Sequence, residues 1–332
     1  MNIKNRQVFS TTLNEKVHII EISNNFLTVE FSNYGAMITK LIINKHNLDL
    51  IVGCNSMEEY ILQDKFFGAT IGRYANRIEK GKFKLNSKEY EVSINEPPNH
   101  LHGGFNGFHK KLWSFEIENS SIIFSYFSKN MEEGFPGNLE IKVKYTLIEN
   151  QLSIEYFGLS DEDTILNLTN HSYFNLNGEG VGDIKNHTIK IASEKYTEMN
   201  KNNIPNGNLI DVSNTPLDFQ KPISIEEMFL KENILLDYDH NFLLKNSENI
   251  KASAYSPLTK IKLDLYTDYP CMQFFTASNL KDFKGKSNYS NFSAFCFEPQ
   301  YAPNSINIKS FVQPILKKGK KYSHFIKYIF SL

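Results

Sequence analysis

Two histidine-bearing segments and one carboxylate stand out as groups that could move protons. His100 and His102 lie in NHLHGGFNGFHKKLW (99–113), where Gly103 and Gly104 let the chain turn or approach another backbone closely. On extended backbone the two rings point to opposite sides. His171 sits in LNLTNHSYFNLNG (166–178), a strand-like run, beside Asn170, Tyr173 and Asn175. Histidine titrates nearest neutrality, so it can give or take a proton there. Glu298 closes a strand whose preceding residues, Ala294 to Phe297, are apolar or small. A carboxylate entering such a strand end is costly unless paired or functional, and desolvation there makes it a stronger base. Taken singly, each histidine is more often structural than catalytic, and for Glu298 a plain strand-end carboxylate in solvent is an equal alternative.

Two further groups could bind polar substrates. Asp239-His240-Asn241 places polar side chains against an apolar strand, although Asp and Asn also favour plain turns. Arg73, Asn76 and Arg77 in FFGATIGRYANRI combine forked cations with an amide, which suits hydroxyls or carboxylates. At least one of the two arginines is expected in an internal ion pair. His100-x-His102 with His109 or His171 has donors for zinc, but no third ligand follows at a familiar spacing such as HExxH. No metal is expected. No glycine-rich phosphate loop and no GxSxG elbow occurs, which removes support for nucleotide binding or serine hydrolysis.

The elements that must hold these groups read as strands. Period-2 alternation recurs in KVHIIEI (16–22), FLTVEFS (26–32) and MITKLII (37–43). KFKLNSKEYEVSI (82–94) reads as a hairpin turning at Asn86-Ser87, and residues 139–159 as one turning at Glu149-Asn150. Residues 250–268 repeat the design with Ser256-Pro257 at the turn, and 271–278, 292–299 and 321–330 complete the set. Helical periodicity is confined to short pieces such as Ile223–Leu230. The stretches 95–110, 200–220 and 279–291, rich in Asn, Gly and Pro, read as connections. So many short strands predict an all-β fold, a large antiparallel β-sandwich, with residues 1–332 as a single domain.

Composition agrees with a globular chain of that kind. The 332 residues are 41% hydrophobic and 22% charged, with 36 basic against 37 acidic side chains. Area scaling gives roughly 14,000 Å² of accessible surface for the folded chain. The near-neutral balance predicts no nucleic-acid partner, since a basic excess or stripe is lacking. Three scattered cysteines make neither a disulfide framework nor a zinc pattern. No apolar run approaches a membrane span and none follows the first basic residues, so a cytoplasmic protein without membrane association is expected. The oligomeric state is left open between monomer and homodimer.

Taken together, the segments resemble the aldose 1-epimerase (galactose mutarotase) family. The matching pieces are GRYANRIEKGKF (72–83), NHLHGG (99–104), EEGFPGNL (132–139), NHSYFNLNG (170–178), TPLDF (215–219), DHNF (239–242) and FEPQYAPNSIN (297–307). They follow the family's order from about residue 35 to the C-terminus. The resemblance implies the family's β-supersandwich, a small sugar as substrate and no cofactor. By it, His171 corresponds to the general acid and Glu298 to the general base. His102 would bond the sugar near its ring oxygen. Asn76, Arg77, Asp239 and Gln273 would hold hydroxyls, and Tyr173 would wall the pocket. Two positions depart from the family pattern. Pro299 stands where Thr is common, and Asn304 follows Pro303 where Asp is common.

The implied reaction interconverts α and β anomers of free aldohexoses such as galactose and glucose. A base takes the C1 hydroxyl proton while an acid protonates the ring oxygen; the ring opens, C1–C2 rotates, and closure occurs on the other face. For such a pair to work near neutrality the histidine needs a raised pKa, and Asp239 is the expected neighbouring carboxylate. Three other readings compete. A hexose-6-phosphate 1-epimerase would need a cationic cluster; a non-catalytic carbohydrate-binding sandwich would not need both acid and base; a glycosidase would need two carboxylates about the bond.

Overall fold

The computed structural model describes residues 1–232 and 237–332. Among the described residues the paired strands run antiparallel, and the accessible surface is 14116 Å². A meander of five strands opens it, from Asn2–Ser10 to Leu48–Asp49, in sequence order. A nine-stranded sheet begins with the hairpin Ser114–Glu118/Ser121–Ser128 and takes in Leu139–Ile148, Gln151–Ser160 and the last strand, Lys321–Ser331. A second five-stranded sheet has the order Pro205–Asp211, Ser193–Met199, Asp239–Leu244, Cys271–Phe275, Cys296–Gln300.

The expected all-β architecture is what the chain adopts, and the hairpins turn where turn chemistry marks them. Lys82–Leu85 pairs with Lys88–Glu91 across Asn86-Ser87, both at positive φ. Leu139–Ile148 pairs with Gln151–Ser160 across Glu149-Asn150. One core cluster unites Ile20 and Phe31 of the meander, Val143 and Ile154 of the nine-stranded sheet, and Phe242, Phe274 and Phe297 of the second five-stranded sheet. Among the described residues, no helix is long and apolar enough to cross a membrane.

Three readings need correction. The expected helix at 223–230 lies at Ile225–Glu232, after a short bridge strand. A second helix, Met57–Leu62, was not expected from periodicity; six residues are too few to show a period, though Ser56 caps the Glu59 N–H in a Ser-x-x-Glu pattern. Residues 200–220 hold an edge strand, Pro205–Asp211, whose polar side chains are mostly outside. Backbone pairing to Ser193–Met199 makes it a strand, and that leaves no apolar alternation to read.

Candidate active site

The floor of the site is the edge half of the second five-stranded sheet. Register sets Asn241 opposite Gln273 and Gln273 opposite Glu298. The strand period then sends Asp239, Gln273 and Glu298 to one face, and Phe242, Phe274 and Phe297 to the other, in the core. Three irregular segments cover the polar face. Residues 166–178 bring His171 and Tyr173, residues 72–78 bring Asn76 and Arg77, and NHLHGG brings His102. Gly103 is required there: a Cβ on it would meet the Gly72 carbonyl oxygen at 1.8 Å, and its φ is +85°. All eight residues given site roles by the family resemblance are brought together, seven of them lining a cleft of about 190 Å³ and Gln273 lying buried in its floor. That volume is below the roughly 300–1,000 Å³ typical of drug-sized ligands.

At the centre, His171 Nε2 stands 3.6 Å from Glu298 Oε2, and both residues are buried. His171 is held by its backbone, with its N–H donated to Ala69 and its carbonyl accepting from Gly68. Its ring stacks on Tyr173 at 5.0 Å and on Phe66 at 5.9 Å. Its Nδ1 meets the Cys296 thiol at 3.6 Å. Burial drives both members toward neutral forms. It lowers His171 to about 4, and it raises Glu298 well above the carboxylate range, with Asp239 adding to the rise and Arg77 opposing it. Two such groups titrate as a pair rather than singly.

Asp239 is therefore not the carboxylate beside His171. It accepts a bond from Gln273 Nε2 at 2.6 Å and lies 3.9 Å from Arg77, so its charge acts on Glu298 and the guanidinium. Arg77 is clamped by Glu96 through two bonds of 2.7 Å, which is the expected internal ion pair. Among the described residues Arg73 makes no such pair, and it lines no part of the cleft. Its guanidinium donates to Ser128 Oγ and to the carbonyls of Ser128, Lys129 and Pro136, pinning that loop.

His102 is in left-handed backbone, φ 52°, not extended as read from sequence, yet it still diverges from His100. His100 Nδ1 bonds the Ser93 carbonyl at 2.7 Å, under the edge of Phe135 and away from the cleft. The Asn76 backbone N–H donates to His102 Nδ1 at 3.1 Å. The proton of a neutral His102 must then sit on Nε2, making it a donor toward the cleft. Asn76 Oδ1 is taken by the Arg77 N–H, which leaves the Asn76 NH₂ for a ligand. The same tautomer argues against a metal. One donor atom each from His102, His171 and Glu298 lies within 4.8 Å of the others, but His102 cannot offer an Nε2 lone pair while Nδ1 accepts the Asn76 hydrogen bond.

Both departures from the family pattern are accommodated. Pro299 lies in an edge strand, where its missing donor breaks no outer ladder. Asn304 takes φ 55°, and its Oδ1 accepts the Glu79 N–H at 3.0 Å. Sequence reading missed Phe66, Glu96 and Cys296. Cys296 was findable, two residues before Glu298 on the same strand face. Phe66 and Glu96 lie in loops with no pattern to mark them.

A family-wide match decides what this arrangement is. The description "Aldose 1-epimerase" fits residues 18–329. The chain belongs to the aldose 1-epimerase family. Galactose mutarotase of Rattus norvegicus is 37% identical over 95% of this chain and 94% of its own length. Aldose 1-epimerase of Escherichia coli is 34% identical over 85% of each chain. Among solved structures, an aldose epimerase homologue from C. elegans superposes with TM-score 0.89 at 30% identity, over 94% of this chain and 98% of that one. A galactose 1-epimerase from Lactobacillus acidophilus gives 0.87 at 25% identity, covering 99% of both. Members of the aldose 1-epimerase family are isomerases acting on carbohydrates, and this chain is such an enzyme.

Proposed function

We propose that this aldose 1-epimerase interconverts the anomers of free aldohexoses, galactose and glucose among them, with Glu298 as general base and His171 as general acid. The buried 3.6 Å pair is the observation that carries the reading. The two oxygens exchanging protons in mutarotation, O1 and O5, are bonded to one carbon, so acid and base must stand close together. In the Glu298⁻/His171H⁺ form of the pair, which burial disfavours but the shared proton keeps accessible, Glu298 takes the O1 proton as His171 delivers one to O5; after rotation about C1–C2 the transfers reverse and the pair is restored. One proton shuttles within the pair, so the low dielectric of the cleft never has to hold a net change of charge. His102 Nε2–H and the Asn76 NH₂ supply donors. Arg77 and Asp239 orient hydroxyls, and Tyr173 and Phe66 confine the ring.

The cleft's charges favour a neutral sugar over a sugar phosphate. Asp64, Glu96, Asp239 and Glu298 line it, and its cations, Lys65 and Arg77, are already paired with Asp64 and Glu96. A phosphate would enter a field of its own sign. Polarimetry of freshly dissolved α-D-galactose, α-D-glucose and α-D-glucose 6-phosphate tests the reading. Faster mutarotation of the two free sugars, without added metal, is expected. Acceleration of the phosphate alone would overturn it.

A further inference from the structure

The floor carries more buried polarity than the proposed chemistry uses. Beside Glu298 and Gln273 on the same face lie Asn241, in the same cross-strand row, and Gln300, one step along the strand and opposite Cys271. Asn241 and Gln300 are fully buried, and neither lines the cleft. Among the described residues, both amide atoms of Gln300 and Gln273 Oε1 lack any hydrogen-bond partner, and the Asn241 amide meets only the Cys271 thiol. Beyond them the face is closed by an apolar cluster of Cys271, Ala302 and Phe311, with Leu243 and Ile308 packed on it. Side chains of one sheet face in adjacent rows lie within reach of one small bridging molecule.

Polar groups buried this way are seldom left alone, because each orphan forfeits its hydration without return. An apolar cavity stays dry, whereas a polar one with two to four partners retains water. We propose that Asn241 and Gln300 hold ordered water in the floor behind Glu298, and that this water hydrogen-bonds the carboxylate, making both amides positioning residues for the base. Their uncharged dipoles can turn to suit either protonation state, donating to the carboxylate and accepting from the acid.

The proposal rests on Glu298 being the base, and one of its tests does not. The charged and titratable groups around that carboxylate are His171, His102, Arg77, Asp239, Tyr173, Cys296, Cys271 and, from the sheet behind, Tyr328. Of these only Cys271, whose thiol meets the Asn241 amide, is touched by altering the two amides. A high-resolution crystal structure should show water bonded to the Asn241 and Gln300 amides; a dry floor overturns the proposal, whatever the enzyme's activity. In Asn241→Leu and Gln300→Leu the carboxylate loses solvation and, because it titrates above His171, the basic limb of the kcat profile should move up by roughly one pH unit, with a tenfold loss on the plateau. KM should stay near that of the parent. Asn241→Ser, which leaves room and a hydroxyl for water, should restore most of the profile. Leucine variants that melt higher with an unmoved profile would show truly orphaned amides and refute it. An inactive parent with water in place would sink the proposed function and leave the water site standing.

Discussion

The hairpin Leu139–Ile148/Gln151–Ser160 and the three strands under the cleft share one kind of pairing and bury opposite chemistries. In the hairpin, burial alternates residue by residue: Ile141, Val143 and Tyr145 are inside while Glu140 and Lys142 are outside. Each residue's face follows from its own polarity. In Cys296–Gln300 all five residues are buried, and the face that would be solvated elsewhere carries Glu298 and Gln300. That sheet face is roofed by loops instead of water. A fold stabilised by one region can thus carry a destabilising set of groups in another, and the two should respond differently to substitution.

The contrast can be broken most directly at the pair. Glu298→Gln and His171→Asn should each lower kcat by about 10²–10⁴ in polarimetry. Glu298→Gln should also melt higher than the parent, because it removes a desolvated carboxylate. Folding raises the Glu298 pKa above its usual 4.5, so the parent's handicap is absent below that pH and grows as pH rises through the raised value. A lower melting temperature for Glu298→Gln at neutral pH would contradict this account.

Ile154→Ala in the hairpin core should do the reverse, costing about 2–5 kcal/mol in denaturant unfolding with kcat per folded molecule unchanged. A loss of kcat in the folded fraction would mean that the two regions are not separable.

A smaller effect is expected from Asp239→Asn. Its negative charge raises Glu298, which titrates above His171, so the basic limb of the pH–rate profile should move to lower pH while the acidic limb, set by His171, stays put. An acidic limb that moves down instead would restore Asp239 as the partner of His171.

Least affected of all should be Lys142→Ala, on the outer face of the hairpin. Its unfolding free energy should stay within about 0.5 kcal/mol of the parent, with unchanged kcat. A larger change would mean that the hairpin's outer face is not plain solvent.

Much of the fold was legible because strand periodicity and turn residues are local. Asn86-Ser87 and Glu149-Asn150 mark their hairpins within a few residues, and alternation assigns each flanking side chain to a face. Proline and asparagine were readable as departures, and the edge position of Pro299 explains why one of them is tolerated. The edge strand Pro205–Asp211 was not legible, since its reason for being a strand is a neighbour's backbone.

By itself the sequence determined the residue types, their order and the all-β pattern, and through its segments the family. Which charge faces which was decided only by tertiary structure. His171 and Glu298 are far apart in the chain, and only cross-strand register together with the roofing loops brings them to 3.6 Å. Asp239 shares the same cleft but is turned by Gln273 and Arg77 away from the role assigned to it. Burial then set the pair's proton affinities, lowering the imidazole and raising the carboxyl. Distance and desolvation govern electrostatics, and neither is a property of local sequence.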